Sequence, residues 1–120
     1  MGVTNFDVVE ADLLVGGVKL PVVAAGADGP ITLRAGVVML TKASAAALTL
    51  TAPSADDDGK ILHIIAATAQ AHTVTVAGGV NGGGAGADVG TFGGTVGDRV
   101  SLVAYDGKWY ELGNVNVTFA

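Results

Sequence analysis

Cysteine is absent from the 120-residue sequence, which excludes disulfide staples, thiolate metal sites and a cysteine nucleophile. Aromatic residues are scarce as well, with one Trp, two Tyr and three Phe, so a core has to be assembled from Val, Leu, Ile and Ala. Charge is thin. Asp, Glu, Lys and Arg make up 14% of the chain, against about 25% in ordinary soluble domains. Low charge with a mean hydropathy of +0.56 points to apolar surface that another subunit or a partner covers. Basic residues are the scarcest charges. Six are scattered at Lys19, Arg34, Lys42, Lys60, Arg99 and Lys108, for a net charge of −5, which argues against nucleic acid as a partner. No stretch approaches the roughly 18 uninterrupted apolar residues of a spanning helix, so no membrane partner is expected. MGVTNFDVVEADLLVGG has no basic stretch ahead of an apolar run, so no secretory leader is expected, and assembly in a cytoplasm is.

Short β-branched runs dominate what is there. FDVVEADLLV, VKLPVVAA, ITL, VVMLT, LTLT, ILHIIAAT, HTVTVA, RVSLVAY, KWYEL and VNVTF are separated mostly by Gly, Pro, Asp or Asn. Strands punctuated every 8–12 residues or so predict an all-β fold, a small antiparallel β-sandwich or a jelly-roll or barrel-like domain. Asp106-Gly107 sits between two apolar, aromatic runs and predicts a two-residue hairpin turn with Tyr105 opposite Lys108 and Ala104 opposite Trp109. KASAAAL (42–48) contains good helix formers but is too short to be an independent helix. Pro21 lacks an N–H and belongs at a sheet edge. Residues 1–30 therefore read as an extended N-terminal arm plus edge strands, and 31–120 as a compact body interrupted by a Gly-rich loop at 78–97.

The residues that could carry chemistry form no catalytic set. GGVNGGGAGADVGTFGG (78–94) places Gly82, Gly84 and Ala87 on a dinucleotide pattern, but the glycines that follow preclude the helix which that site requires. The same stretch matches most of a single calcium-binding nonapeptide, and one unit cannot build a calcium solenoid; it reads as a long surface loop. Asp56, Asp57 and Asp58 suggest a hard-cation site, yet Ala67 or Ala69 stands where a calcium loop needs Glu, so SADDDGK reads as an acidic turn. His63 reads as a core or interface imidazole and His72 as a turn or strand-edge residue; two histidines without further ligands are too few for zinc. No cofactor, metal or catalytic residue is expected, and no enzymatic activity. The candidate partner-binding residues are Phe6, Val8, Val9, Leu13, Leu14 and Val15 in the arm, which is too apolar for a solvated tail, together with Trp109 and Tyr110. Core packing is the competing reading for Trp109.

ITLRAGVVMLTKASAAALTLTAPSADDDGKILHIIAATAQAHTVTVAGG, a Gly-rich loop and then GDRVSLVAYDGKWYELG resemble a β-rich module of structural proteins in tailed bacteriophages, over about Ile31 to Gly113. The shared features are a G-K-x-L-x-I strand, an A-H-T-V-T strand and a closing G-D-x-V-x-L-x-A-x-D-G-K-W hairpin. This resemblance implies a non-enzymatic virion surface protein, commonly a homotrimer, assembled in the host cytoplasm. The short arm and the lack of a repetitive shaft favour a capsid decoration (cement) protein that binds the major capsid protein and stabilises the head shell. A trimeric head- or tail-fibre module, or one that binds a receptor or glycan, is the alternative.

Overall fold

Alternation with a period of two sets the elements, because successive side chains of a strand point to opposite faces. The computed structural model describes residues 19–120. It contains ten strands: β1 (Val22–Ala25), β2 (Gly29–Ile31), β3 (Gly36–Leu40), β4 (Ala47–Leu50), β5 (Ile61–Ala66), β6 (Thr73–Val76), β7 (Val89–Phe92), β8 (Arg99–Tyr105), β9 (Lys108–Val115) and β10 (Val117–Phe119). Two single 3-10 turns, Ala55–Asp57 and Gly84–Gly86, complete the set. Sheet I has the order β1-β3-β5-β8-β9 and sheet II the order β10-β7-β6-β4-β2. The fold is all-β, as the strand punctuation predicts.

The pairing differs from the antiparallel expectation in the first half of the chain. From β1 to β6 the strands alternate between the sheets, and β1-β3-β5 and β2-β4-β6 pair in parallel. These six strands make three stacked coils of a flattened solenoid, each giving one strand to either sheet. Val22 lies beside Val37 and Val37 beside His63 in sheet I; Gly29 lies beside Leu48 and Leu48 beside Val74 in sheet II. The chain then reverses, and β7, β8, β9 and β10 all pair antiparallel. Alternation signals a strand but not its direction, so the antiparallel expectation holds only for this second half.

Inward side chains of both sheets form one core. Val38, Leu40, Leu62, Ile64, Val100, Leu102 and Trp109 from sheet I meet Ile31, Leu48, Leu50, Val74, Val76, Phe92 and Val117 from sheet II. The Asp-Gly hairpin forms as predicted. Asp106 and Gly107 have φ of 51° and 75°, and Tyr105 pairs with Lys108 and Ala104 with Trp109.

The Gly-rich stretch is more ordered than a surface loop, which corrects that expectation. It contains β7, whose Gly90 and Phe92 are buried. Gly90 has to be glycine for packing, because the Phe119 ring occupies the space a Cβ would fill. Val80 is 2% exposed and bridges Trp109. Asn81 binds the outer edge of β9 twice: its N–H donates to Trp109 O, and its Oδ1 accepts from Glu111 N, both at 2.9 Å. The stretch therefore covers the β9 edge of sheet I. At the other end of the chain, residue 30 falls within β2, β1 is the far edge of sheet I, and the arm up to residue 18 lies outside the described residues.

Candidate functional site

The two outer faces of the molecule are chemically different. On sheet II the outward positions hold Thr118, Thr91, Thr73 and Ala47 in one row, and Val89, Thr75, Thr49 and Pro30 in the next. On sheet I they hold Val22, Val37, His63 and Ser101 in one row, and Ala24, Met39, Ile65 and Arg99 in another. Ile61, Val103 and Tyr110 form a third row, with Tyr105 beyond it. Val22 is 64% exposed, Tyr105 61% and Ile61 41%, while Val37, Met39, Ile65, Val103 and Tyr110 are half-buried by their neighbours. Arg99 and Lys108 carry the positive charge at the rim of this face.

A shallow depression of about 360 Å³ opens on sheet I between Leu20, Pro21, Gly36, Lys60 and His63. His63 Nδ1 lies 2.7 Å from Ser101 Oγ on the neighbouring strand. The sequence spacing did not reveal this contact, because the two residues meet only through the β5/β8 register. A nucleophile–base pair also needs a group to orient the imidazole and donors for an oxyanion. Neither accompanies His63 and Ser101 among the described residues, and the contact is a cross-strand hydrogen bond between β5 and β8.

The remaining candidates are occupied structurally. Asp57 Oδ2 accepts from Ser54 N at 2.9 Å, and Oδ1 accepts from Lys60 Nζ at 2.9 Å. The Lys60 bond, followed by that from Ser54, holds the Asp57 carboxyl below its ordinary value. Asp58 Oδ1 accepts from Asp106 N at 2.9 Å, tying the acidic turn to the hairpin. Among the described residues no group of three or more His, Asp or Glu side chains is placed to hold a metal ion.

His72 lies in the turn just before β6, where the sequence places it, and it is fully buried there. Ala46 N donates to its Nδ1 at 3.0 Å, so the ring proton sits on Nε2. Nε2–H donates to Thr68 Oγ1 at 2.9 Å, whose hydroxyl donates to Lys42 O at 2.6 Å. Burial pushes the His72 pKa down, against an opposing contribution from Thr68, and nearby Lys42 adds to the fall. The imidazole is therefore a neutral latch on the 42–46 connection.

Of the candidate partner-binding residues, Trp109 is sealed in the core at 0% exposure, with Nε1 donating to Thr51 O at 3.0 Å. Full burial removes it from any docking surface, and the core reading is the one that stands. Tyr110 is on the outer face of sheet I, its ring centroid 6.3 Å from that of Tyr105. Phe6, Val8, Val9, Leu13, Leu14 and Val15 lie outside the described residues. Compared with protein-family models and with curated proteins, the chain matches none.

Proposed function

We propose that this chain is a non-enzymatic structural protein of a tailed-phage virion, a capsid decoration protein that lies on the major capsid protein through the outer face of sheet I. One observation carries the reading: apart from the His63–Ser101 pair, the outer face of sheet I is mainly aliphatic and aromatic, with Arg99 and Lys108 at its rim, while five of the eight outward positions of sheet II are threonine. An apolar centre with a polar rim is the anatomy of a protein–protein interface, and threonine is suited to face water. The motifs that resemble phage structural modules run from β2 to β9, so the resemblance spans both sheets. Trimeric assembly on the shell belongs to the same proposal.

The test uses particles. A protein inventory of purified virions should show hundreds of copies, and the double variant Met39→Glu/Val103→Glu should remain folded yet fail to rebind capsids stripped of the protein. Unchanged rebinding would rule out this face. A second reading has its own support: exposed Tyr105 and half-buried Tyr110 form a surface aromatic pair of the kind that stacks on sugar rings. If the chain is a fibre or receptor module, copy number falls to tens, and Tyr105→Ala abolishes glycan binding without touching capsid occupancy.

A further inference from the structure

The side-chain hydrogen bonds that tie the 42–46 connection to its neighbours run in fixed directions. Lys42 O can only accept, so the Thr68 hydroxyl proton is committed to it. Thr68 Oγ1 must then accept from His72 Nε2–H, which leaves Nδ1 to accept from Ala46 N–H at 3.0 Å. A proton added at Nδ1 would set two N–H groups head to head, so the ring cannot be charged while the connection stays in place. Beyond it, Asp28 Oδ1 accepts from Ala47 N and Lys42 Nζ, both at 2.9 Å. The connection itself buries little. Ala43, Ser44 and Ala45 are exposed, Lys42 is half-buried and only Ala46 is buried. Its release uncovers one methyl group and the imidazole. The strands on either side keep their places, β3 between β1 and β5 and β4 between β2 and β6.

We propose that His72 is a proton-operated latch: acid opens the 42–46 connection alone, while both sheets stay folded. Opening parts Lys42 and Ala47 from Asp28, so the turn between β1 and β2 loosens with it. The charged groups around the ring favour release. Lys42 is the charge that acts on it, and Lys42 is paired with Asp28. β4, β6, β7 and residues 67–71 hold no titratable side chain, and the Phe92 ring stands edge-on to the imidazole at 6.4 Å. A positive ring therefore meets a positive neighbour and leaves its place. So little apolar surface is uncovered that this local step comes before unfolding of the whole chain. The inference stands apart from the virion role, since it concerns which piece of the fold moves when a proton binds.

Native-state hydrogen exchange of the unmodified chain is the experiment. With the intrinsic pH dependence of exchange divided out, protection of the Ala46 and Ala47 amides should fall roughly tenfold per pH unit below the ordinary histidine value of 6.5. Low urea should leave that protection unchanged, because the opening exposes little surface. Ala66 N and Ala104 N, which donate to Asp98 O and Lys60 O at 2.8 and 2.9 Å, should be better protected and should lose protection as urea is added. His72→Asn keeps an acceptor for Ala46 but takes no charge, so Ala46 protection should be flat from pH 7.5 to 5.5. Protection of Ala46 that matches Ala66 and Ala104 in size and urea dependence would overturn the proposal, since the connection would then open only with the whole fold. Protection of Ala46 in the unmodified chain that ignores pH would overturn it too, as would an undiminished pH dependence in His72→Asn. Should that variant not fold, the unmodified chain decides alone.

Discussion

At the scale of single residues, Trp109 and His72 do the most for the fold, and they differ in how far the sequence announces them. Trp109 is the only tryptophan of the chain and follows an Asp-Gly turn that pairs it with Ala104, so core packing could be read directly. Trp109→Ala should cost about 3–5 kcal/mol through the cavity it leaves, lowering Tm by roughly 15 °C or more; thermal and urea unfolding check this. His72 could not be read so. Its partners Ala46 and Thr68 belong to two different connections, and only the parallel stacking brings both to the ring. Its folded pKa lies below the unfolded value of 6.5, so between the two values the unfolded chain holds the extra proton. Stability should accordingly be full above pH 6.5 and fall as the pH drops below it towards the folded pKa, with a slope of at most about 1.4 kcal/mol per pH unit for one proton. Urea midpoints from pH 7.5 to 5.5 measure that slope, which His72→Gln should abolish. Asp28 and Asp57, both held below 3.8, lose their contribution only at lower pH and leave this window clear.

Among the elements, β8 and β9 were legible because an Asp-Gly turn and alternating apolar residues say the same thing. β7 was not. Val89-Gly90-Thr91-Phe92 is a strand with glycine at its buried centre, and glycine composition alone reads as loop. Phe119, close to the far end of the chain, fills the site that the missing side chain leaves. The segment before β7 has a comparable hidden role, since Asn81 acts as a one-residue strand beside β9. Asn81 has a φ of 57°, so Asn81→Ala should cost about 1–2 kcal/mol, from the hydrogen bond to Glu111 lost and from a left-handed backbone that alanine tolerates poorly. Asn81→Gly removes the hydrogen bond but relieves the backbone, and should recover about half of that loss. Equal losses in the two variants, measured by urea unfolding, would show that the backbone conformation contributes nothing.

At the scale of the whole molecule, the all-β class and the two-layer core follow from strand periodicity, whereas the coiled first half does not. Its coils differ in length, and no motif recurs from one to the next within the described strands; a period of two is the same for strands running either way. The contrast between the outer faces was only partly legible. Thr73 and Thr75 could be seen alternating in HTVTVA, but Val37, Met39, Ile65 and Val103 become one surface only through the β3-β5-β8 register.

The strict alternation of the first six strands between the sheets also governs how the protein reaches its fold. None of β1 to β5 pairs with its immediate successor, so each parallel ladder waits until the chain has travelled to the opposite layer and returned. A search of that kind is dominated by loop closure over many residues, and such topologies refold in milliseconds to seconds, not microseconds. Stopped-flow dilution from urea, with Trp109 fluorescence as the probe, should find the principal phase in that range. A microsecond phase carrying the full amplitude would mean that the ring is buried before the coils have stacked.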